Sequence, residues 1–469
     1  MNNIIKSIKV AFLFCSIMLL SCENILEEKV YSELTPENFL SSASGKTSVL
    51  NSAYGSVQFK GFPAFFFSPY TSGEQWNRGG SIEAEITPLS NFTWDSNLQW
   101  MGQSWSAMYN AIRDANIVID NSQSGSEADK KLLAEARFVR ALSYYFLYKW
   151  FGPTPLIISS TITDFNIPRS SDADMKAFIE KEFSEAIPIL PASQAQYGRA
   201  TKGGAMGLLC KFYLNTKQWQ KCTDIAKQIL TLSNYELNAN YKNIFGLAYE
   251  GNKELLWVTP ASPQAGHNLV ALTFPTDYPL PYPNNQVFAA RSYFFDSFIN
   301  SFEEGDLRRQ MMVTEYTSTA GKKINLLGVD QTLSYKFEFD PNAVGATQSN
   351  DLPEVRYSDI LLSLAESLNE LNGPTQESID LINKVRQRAG ITPVLLSNFD
   401  KGGLRKHILK ERSWEFFAES KSREDQIRHG VFISSAIARG KNAKPFHVLF
   451  PIPLTEINAN PKLVQNEGY

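Results

Sequence analysis

Hydrophobic and polar positions alternate most clearly between Leu132 and Ile158. Leu133, Ala136, Arg137, Arg140, Ala141, Tyr144, Tyr145 and Tyr148 recur at three- and four-residue steps and so share one helical face. Small residues (Ala134, Ala136, Ala141, Ser143) sit among large aromatics, as close helix–helix packing requires. Phe151-Gly152-Pro153 ends the helix, because glycine releases the backbone and proline forbids continuation. The same periodicity predicts helices from Pro36 to about Ser56, from about Trp100 through Ile119, and from Asp172 to about Ile189. Thr35 can cap the first of these, Pro36 suits its first turn, and Glu37 and Asn38 favour its positive end.

Residues 198–231 read as helix, short turn, helix. Leu209, Tyr213, Trp219, Cys222, Ala226 and Ile229 stand where tetratricopeptide repeats place their packing residues. A second pair spans Asp359 to Leu371 and Pro374 to Ala389, where Ser378, Ile382 and Val385 repeat the spacing of Cys222, Ala226 and Ile229. One such pair cannot bury its apolar face alone, so the pairs must stack. The predicted fold is mainly α: a tetratricopeptide-like helical-repeat spine with irregular, loop-rich insertions and a few short strands. The first insertion, 61–97, crowds Phe62, Phe65, Phe66, Phe67, Tyr70 and Trp76 into a stretch read as loop. The second, 234–351, holds an aromatic, proline-rich loop from Phe274 to Asn285 and predicted strands at 254–258, 323–327 and 335–339. Long ordered loops of this kind often carry function.

Composition narrows the classes. With 43% hydrophobic residues the chain can build a large core, and a net charge of −3 without a long basic run leaves no electrostatic footprint for nucleic acid. Lys6 and Lys9 precede Val10–Leu20, an uncharged run too short to cross a roughly 30 Å hydrocarbon layer as a helix and of normal length for a secretory signal. It ends in Leu19-Leu20-Ser21-Cys22, the pattern of a bacterial lipobox, with Cys22 as the lipidated residue and the membrane anchor. Of the remaining cysteines, Cys210 and Cys222 fall on opposite sides of the predicted hairpin. They read as small buried hydrophobes, while an exported compartment also permits a disulfide.

Several stretches resemble one family from end to end. Ala134-Glu135-Ala136-Arg137-Phe138 through Phe151-Gly152, Gly305-Asp306 with Arg308, and Arg356-Tyr357-Ser358-Asp359 through Ala365-Glu366 and Asn369-Glu370 are similar to the SusD/RagB outer-membrane nutrient-binding lipoproteins of Bacteroidetes. So are Val385-Arg386-Gln387-Arg388-Ala389-Gly390, Glu411-Arg412 through Arg428, and the ending from Pro451 to Tyr469. Ser422 and Gln426 stand where the family often has Arg and Leu. The acidic Glu23, Glu27 and Glu28 after the lipobox resemble the surface-export signal of such lipoproteins. The resemblance divides the chain into a signal peptide (1–21), an N-terminal SusD-like helical region (22–230) and a C-terminal RagB/SusD region (231–469). It implies a protein of the outer membrane, facing the exterior, that binds an oligosaccharide and delivers it to a SusC-like TonB-dependent transporter.

The resemblance implies capture rather than turnover, while the 48 acidic residues leave paired carboxylates for glycosidic cleavage open. His267, His407, His429 and His447 form no H-E-x-x-H motif, and neither G-x-S-x-G nor C-x-x-C occurs, so no catalytic residue, cofactor or metal site is assigned. Gly45-Lys46-Thr47 imitates the end of a phosphate loop, but Leu40 stands where its first glycine belongs. The arginines and carboxylates between Arg386 and Arg428 read as bonds that lock helices. A sugar presents a flat C–H face ringed by hydroxyls, and so calls for an exposed aromatic platform beside hydrogen-bonding side chains. Trp76 with Glu74, Asn77 and Arg78 has this composition, as does Trp94 with Asp95 and Asn97. Tyr278 and Tyr282 with Asn284 and Asn285 can face them from the second insertion. Two other readings remain open: a surface glycan-degrading enzyme and a peptide-binding uptake lipoprotein.

Overall fold

The structure, a computed structural model, describes residues 36–58, 63–78, 80, 82–123, 125–289 and 292–469. The signal peptide, Cys22 and the acidic residues after it lie outside the described residues. The fold is mainly α, with a tetratricopeptide-like spine, irregular insertions and strands of two to five residues. Among the described residues no helix is long and apolar enough to cross a membrane.

The Gln99–Asp120 and Glu127–Phe151 helices pack against each other, with Ala43–Gln58 and Asp172–Ala186 laid alongside. Ser126 caps the second of them through the Asp129 N–H, and Gly152, at φ 74°, stops it in a conformation that suits glycine. Ala134, Ala136, Ala141 and Ser143 are fully buried, so the small residues do let the backbones approach. Arg140 is drawn inside by Asn116 Oδ1 at 2.7 Å and by Glu182 Oε2 at 2.8 Å, which joins three helices. The spine continues through the hairpin Lys202–Asn215/Trp219–Leu230, whose second helix packs on Tyr357–Asn372; that helix in turn packs on Gln376–Arg388 and Lys401–Glu415. Ser378, Ile382 and Val385 are buried, as the repeated spacing requires.

Two details differ from the sequence reading. Pro63–Ser72 and Glu83–Asn91 are helices inside the stretch read as loop. The first is packed on most of its circumference, with Phe66, Phe67 and Tyr70 almost wholly buried, so it lacks the polar side that signals a surface helix. The strand expected at 335–339 is absent; pairing stops at Leu333–Ser334, and Lys336 instead turns into the core. The other expected strands form: Leu255–Thr259 pairs antiparallel with Leu352–Arg356, and Lys323–Asn325 pairs with Glu315–Thr317.

The charged run in the C-terminal half is interior. Arg356 contacts Glu254 at 2.6 Å, Glu415 at 2.8 Å and Glu419 at 2.7 Å, and all four side chains are excluded from solvent. Arg412 meets Asp359 and Asp425, each at 2.9 Å, and Arg428 meets Glu366 at 2.5 Å. Burial pushes the carboxyls of Asp359, Glu366, Glu419 and Asp425 upward, but the neighbouring cations outweigh it and hold each below its usual range. Their stabilisation is therefore present above about pH 4 and lost as pH falls through the depressed folded values. His267, His407 and His447 are pushed down to about 4, with burial the largest cause. The unfolded chain binds those protons first, from about pH 6.5 downward. Stability should therefore decline below about pH 6.5, before the carboxylates titrate. Glu250 and Asp351, whose carboxyls burial pushes up to about 7 and about 6, act in the opposite sense. Urea midpoints measured at pH 7.5 and pH 5 check this; a midpoint no lower at pH 5 would show that the histidines do not outweigh those two carboxyls.

Candidate functional site

Short strands bring distant aromatics together. Gln75–Trp76 pairs antiparallel with Tyr293–Phe294, Phe294 bridges to Thr332, and Leu333–Ser334 pairs with Met312–Val313. In this frame the Trp76 ring stacks on Tyr293 with centroids 5.2 Å apart, and its indole N–H donates to the Asp330 carbonyl. Asp296 fixes that turn by accepting from the Gly328 and Asp330 N–H groups at 2.9 and 3.2 Å.

The row continues beyond Tyr293. Tyr316 follows closely on the strand Met312–Val313, and burial, the hydrogen bond to Asp277 and the Tyr293 hydroxyl all raise its pKa. Tyr316 lies 5.2 Å from Tyr278, which stacks on Phe339 and leans on Phe274 at 4.7 Å. Tyr335 packs on Phe274 and Phe339, and burial, Tyr278, Glu338 and Tyr282 push its pKa up to about 12. Trp76, Tyr316, Tyr278 and Tyr335 are each half-buried, and Tyr282 is 37% exposed. An aromatic with one side on the core and the other toward solvent can stack a sugar ring. Asp277 and Glu338 border the row with hydrogen-bond acceptors.

Two buried charges moor this row to a single turn. Lys336, next to Tyr335, donates to Glu419 Oε1 at 2.6 Å, the Phe417 carbonyl at 2.7 Å and the Glu415 carbonyl at 3.2 Å. Burial pulls its pKa down to about 8. Glu74, two residues before Trp76, accepts from the Ala418 N–H at 2.6 Å, and burial raises its pKa. Ala418 and Ser420 hold φ values of 55° and 61°, a conformation rare for residues with side chains, and this bend presents the N–H and carbonyl groups that receive the two moorings.

The structure sorts the predicted site residues. Trp76 and Tyr278 each contact further rings, Tyr282 is exposed, Arg78 is exposed and Asn77 is half-buried beside Trp76. Asn284 spends its amide nitrogen on the Pro341 and Ala343 carbonyls at 3.0 and 2.9 Å, shaping the loop behind Tyr282. Glu74 is a mooring and not a ligand contact, because its carboxylate is buried against Ala418. Trp94 is also corrected: it is 4% exposed, lies 4.7 Å from His447 and 5.3 Å from Phe450, and donates to the Tyr469 hydroxyl. It offers no face to a ligand. Asn97 is exposed, in a turn where its N–H donates to Asp95 and the neighbouring Ser96 carbonyl accepts from the Leu454 N–H, so this segment serves the C-terminus. Sequence reasoning missed Tyr293, Tyr316 and Tyr335. A separate cleft of about 740 Å³ is lined by Gln58, Thr259, His267, Asn268, Phe288 and Thr347 among others, with no carboxylate among its described lining residues.

Comparison with known proteins bears on the whole chain. Residues 331–469 match the model of the SusD family, and residues 26–214 match a model described as starch-binding associating with outer membrane. A SusD-like protein of Formosa agariphila is 26% identical over 98% of this chain and 99% of its own length. Starch-binding protein SusD of Bacteroides thetaiotaomicron is 22% identical over 82% of this chain and 81% of its own. Among solved structures, a laminarin binding SusD-like protein superposes with TM-score 0.78 at 22% identity, covering 91% of this chain and 99% of that one. Surface glycan-binding protein A of Bacteroides thetaiotaomicron, in complex with laminarihexaose, superposes with TM-score 0.75 at 18% identity, covering 90% and 99%. With both ends of the chain matched by family models and the same helical fold throughout, the chain belongs to the SusD/RagB family.

Proposed function

We propose that this protein captures an oligosaccharide on the aromatic row from Trp76 to Tyr282 and delivers it to a SusC-like TonB-dependent transporter, held to the outer face of the outer membrane by lipid on Cys22. The row carries the reading: Trp76, Tyr316, Tyr278 and Tyr335 are half-buried rings, and acceptors such as Asp277 stand beside them, which supports a stacking surface. Relatives described as starch-binding, laminarin binding and glycan-binding support a carbohydrate ligand. Each stacked ring contributes about 0.5–1.5 kcal/mol beyond its buried area, and each hydrogen bond to a hydroxyl a net 0.5–1.5 kcal/mol or so. A few of each give affinities between about 1 mM and 1 μM, loose enough for release to a partner.

Replacing one ring should cost about 1.4 kcal/mol, or tenfold in affinity. Trp76→Ala and Tyr278→Ala are thus each expected to migrate faster than the wild type in native gels containing the bound polysaccharide, with little change in melting temperature. Unchanged retardation in both would remove the row from the account. Deleting the partner transporter should abolish growth on the ligand while surface capture persists; unchanged growth would contradict delivery.

A further inference from the structure

The hairpin Lys202–Asn215/Trp219–Leu230 closes through a tight turn in which Lys217 adopts φ 59°, and its two cysteines face each other across the helix interface. The Cys210 and Cys222 sulfurs are 3.7 Å apart and both residues are wholly buried. Each thiol also reaches the carbonyl of the other cysteine, Cys222 Sγ at 3.6 Å and Cys210 Sγ at 4.0 Å, so the approach is reciprocal. Among the described residues no group of three or more His, Cys, Asp or Glu could hold a metal, which leaves the pair without a coordination role. Sulfurs already in van der Waals contact need only side-chain rotation and a small closing of the helices to reach bonding distance.

We propose that Cys210 and Cys222 are an intramolecular disulfide site, oxidised as the hairpin forms on the exported chain. Two thiols lose two protons and two electrons, one S–S bond forms between them, and an external dithiol-oxidase disulfide is reduced to its two thiols. The family's association with the outer membrane sets this beyond the reducing cytoplasm. Burial sets the timing. In the finished fold no oxidant reaches either sulfur, and the hydrogen bond to Cys222 followed by burial pushes the Cys210 thiol well above its usual range. The attacking thiolate is therefore available while the hairpin is still open. Once closed, the bridge restrains the unfolded chain across a separation of twelve residues, within the repeat unit that packs on Tyr357–Asn372.

The test uses the full chain, isolated from the outer membranes of its own cells, denatured in excess iodoacetamide and digested without reductant. A cross-linked peptide containing Cys210 and Cys222 is expected, which dithiothreitol converts into two alkylatable peptides. Thermal unfolding should shift to lower temperature on adding reductant, and the Cys210→Ala/Cys222→Ala double variant should show no such shift. Recovery of both cysteines as alkylated thiols without reductant would overturn the proposal, whatever the variant does.

Discussion

Replacing Glu415 with alanine is expected to destabilise the protein by about 3–5 kcal/mol, the usual result of removing one partner from a buried ionic cluster. Glu415 is fully buried and meets Arg388 at 2.5 Å, Arg356 at 2.8 Å and Arg308 at 3.4 Å. Burial alone raises its pKa, but Arg388, Arg356, Arg308 and Lys336 outweigh that and hold the carboxyl well below the usual range. Without it, three guanidinium groups keep their desolvation and lose a shared counter-charge. Glu415→Gln should fall between, because the amide keeps hydrogen-bonding atoms but not the charge. Urea unfolding followed by circular dichroism measures both; a loss below about 1 kcal/mol for the alanine variant would mean that the cluster reorganises freely. The effect would also reach the candidate site, since the Glu415 carboxylate helps keep Lys336, the neighbour of Tyr335, charged.

Trp94→Ala should cost a similar amount, about 3–5 kcal/mol, for a different reason. Its ring fills space among Phe92, His447 and Phe450, with centroids 4.9, 4.7 and 5.3 Å away, and its indole is bonded to Tyr469 at 2.7 Å. Truncation leaves a cavity and removes a partner from a hydroxyl that itself donates to the Leu449 carbonyl. In the fraction that remains folded, glycan affinity should equal that of the wild type, opposite to the pattern expected of Trp76→Ala. Chemical unfolding paired with titration below the melting temperature separates the two. Lost affinity with normal stability would put Trp94 back at the ligand.

The contrast between these two tryptophans shows what was legible in the sequence. Both stand among Asn, Asp or Arg in the first insertion, and local composition treats them alike. What separates them is packing on chain far away in sequence: Trp94 meets His447 and Tyr469, whereas Trp76 meets Tyr293 and the Asp330 carbonyl. The spine was legible because its helices carry their own period and end signals, as at Ser126 and Gly152. The lock of arginines and carboxylates was legible as a role, since so many paired charges in helical sequence need partners. Tyr316 was not, because a strand of three residues is too short to show a period of two, and Tyr335 was not, because its stretch reads as a strand that the structure does not form. Nor was the Pro63–Ser72 helix, packed on nearly every side and so without an amphipathic pattern.

The central claim, capture of a glycan on the aromatic row, is tested most directly by calorimetric titration of the soluble chain from Glu23 onward. The ligands are a panel of plant, host and microbial oligosaccharides, run beside the Trp76→Ala/Tyr278→Ala double variant, with each mixture then checked by chromatography. The account predicts saturable binding to at least one oligosaccharide, no cleavage products, and a loss of a hundredfold or so in the double variant if the two rings act independently. Release of shorter sugars, affinity unchanged in the double variant, or silence across the panel would contradict it.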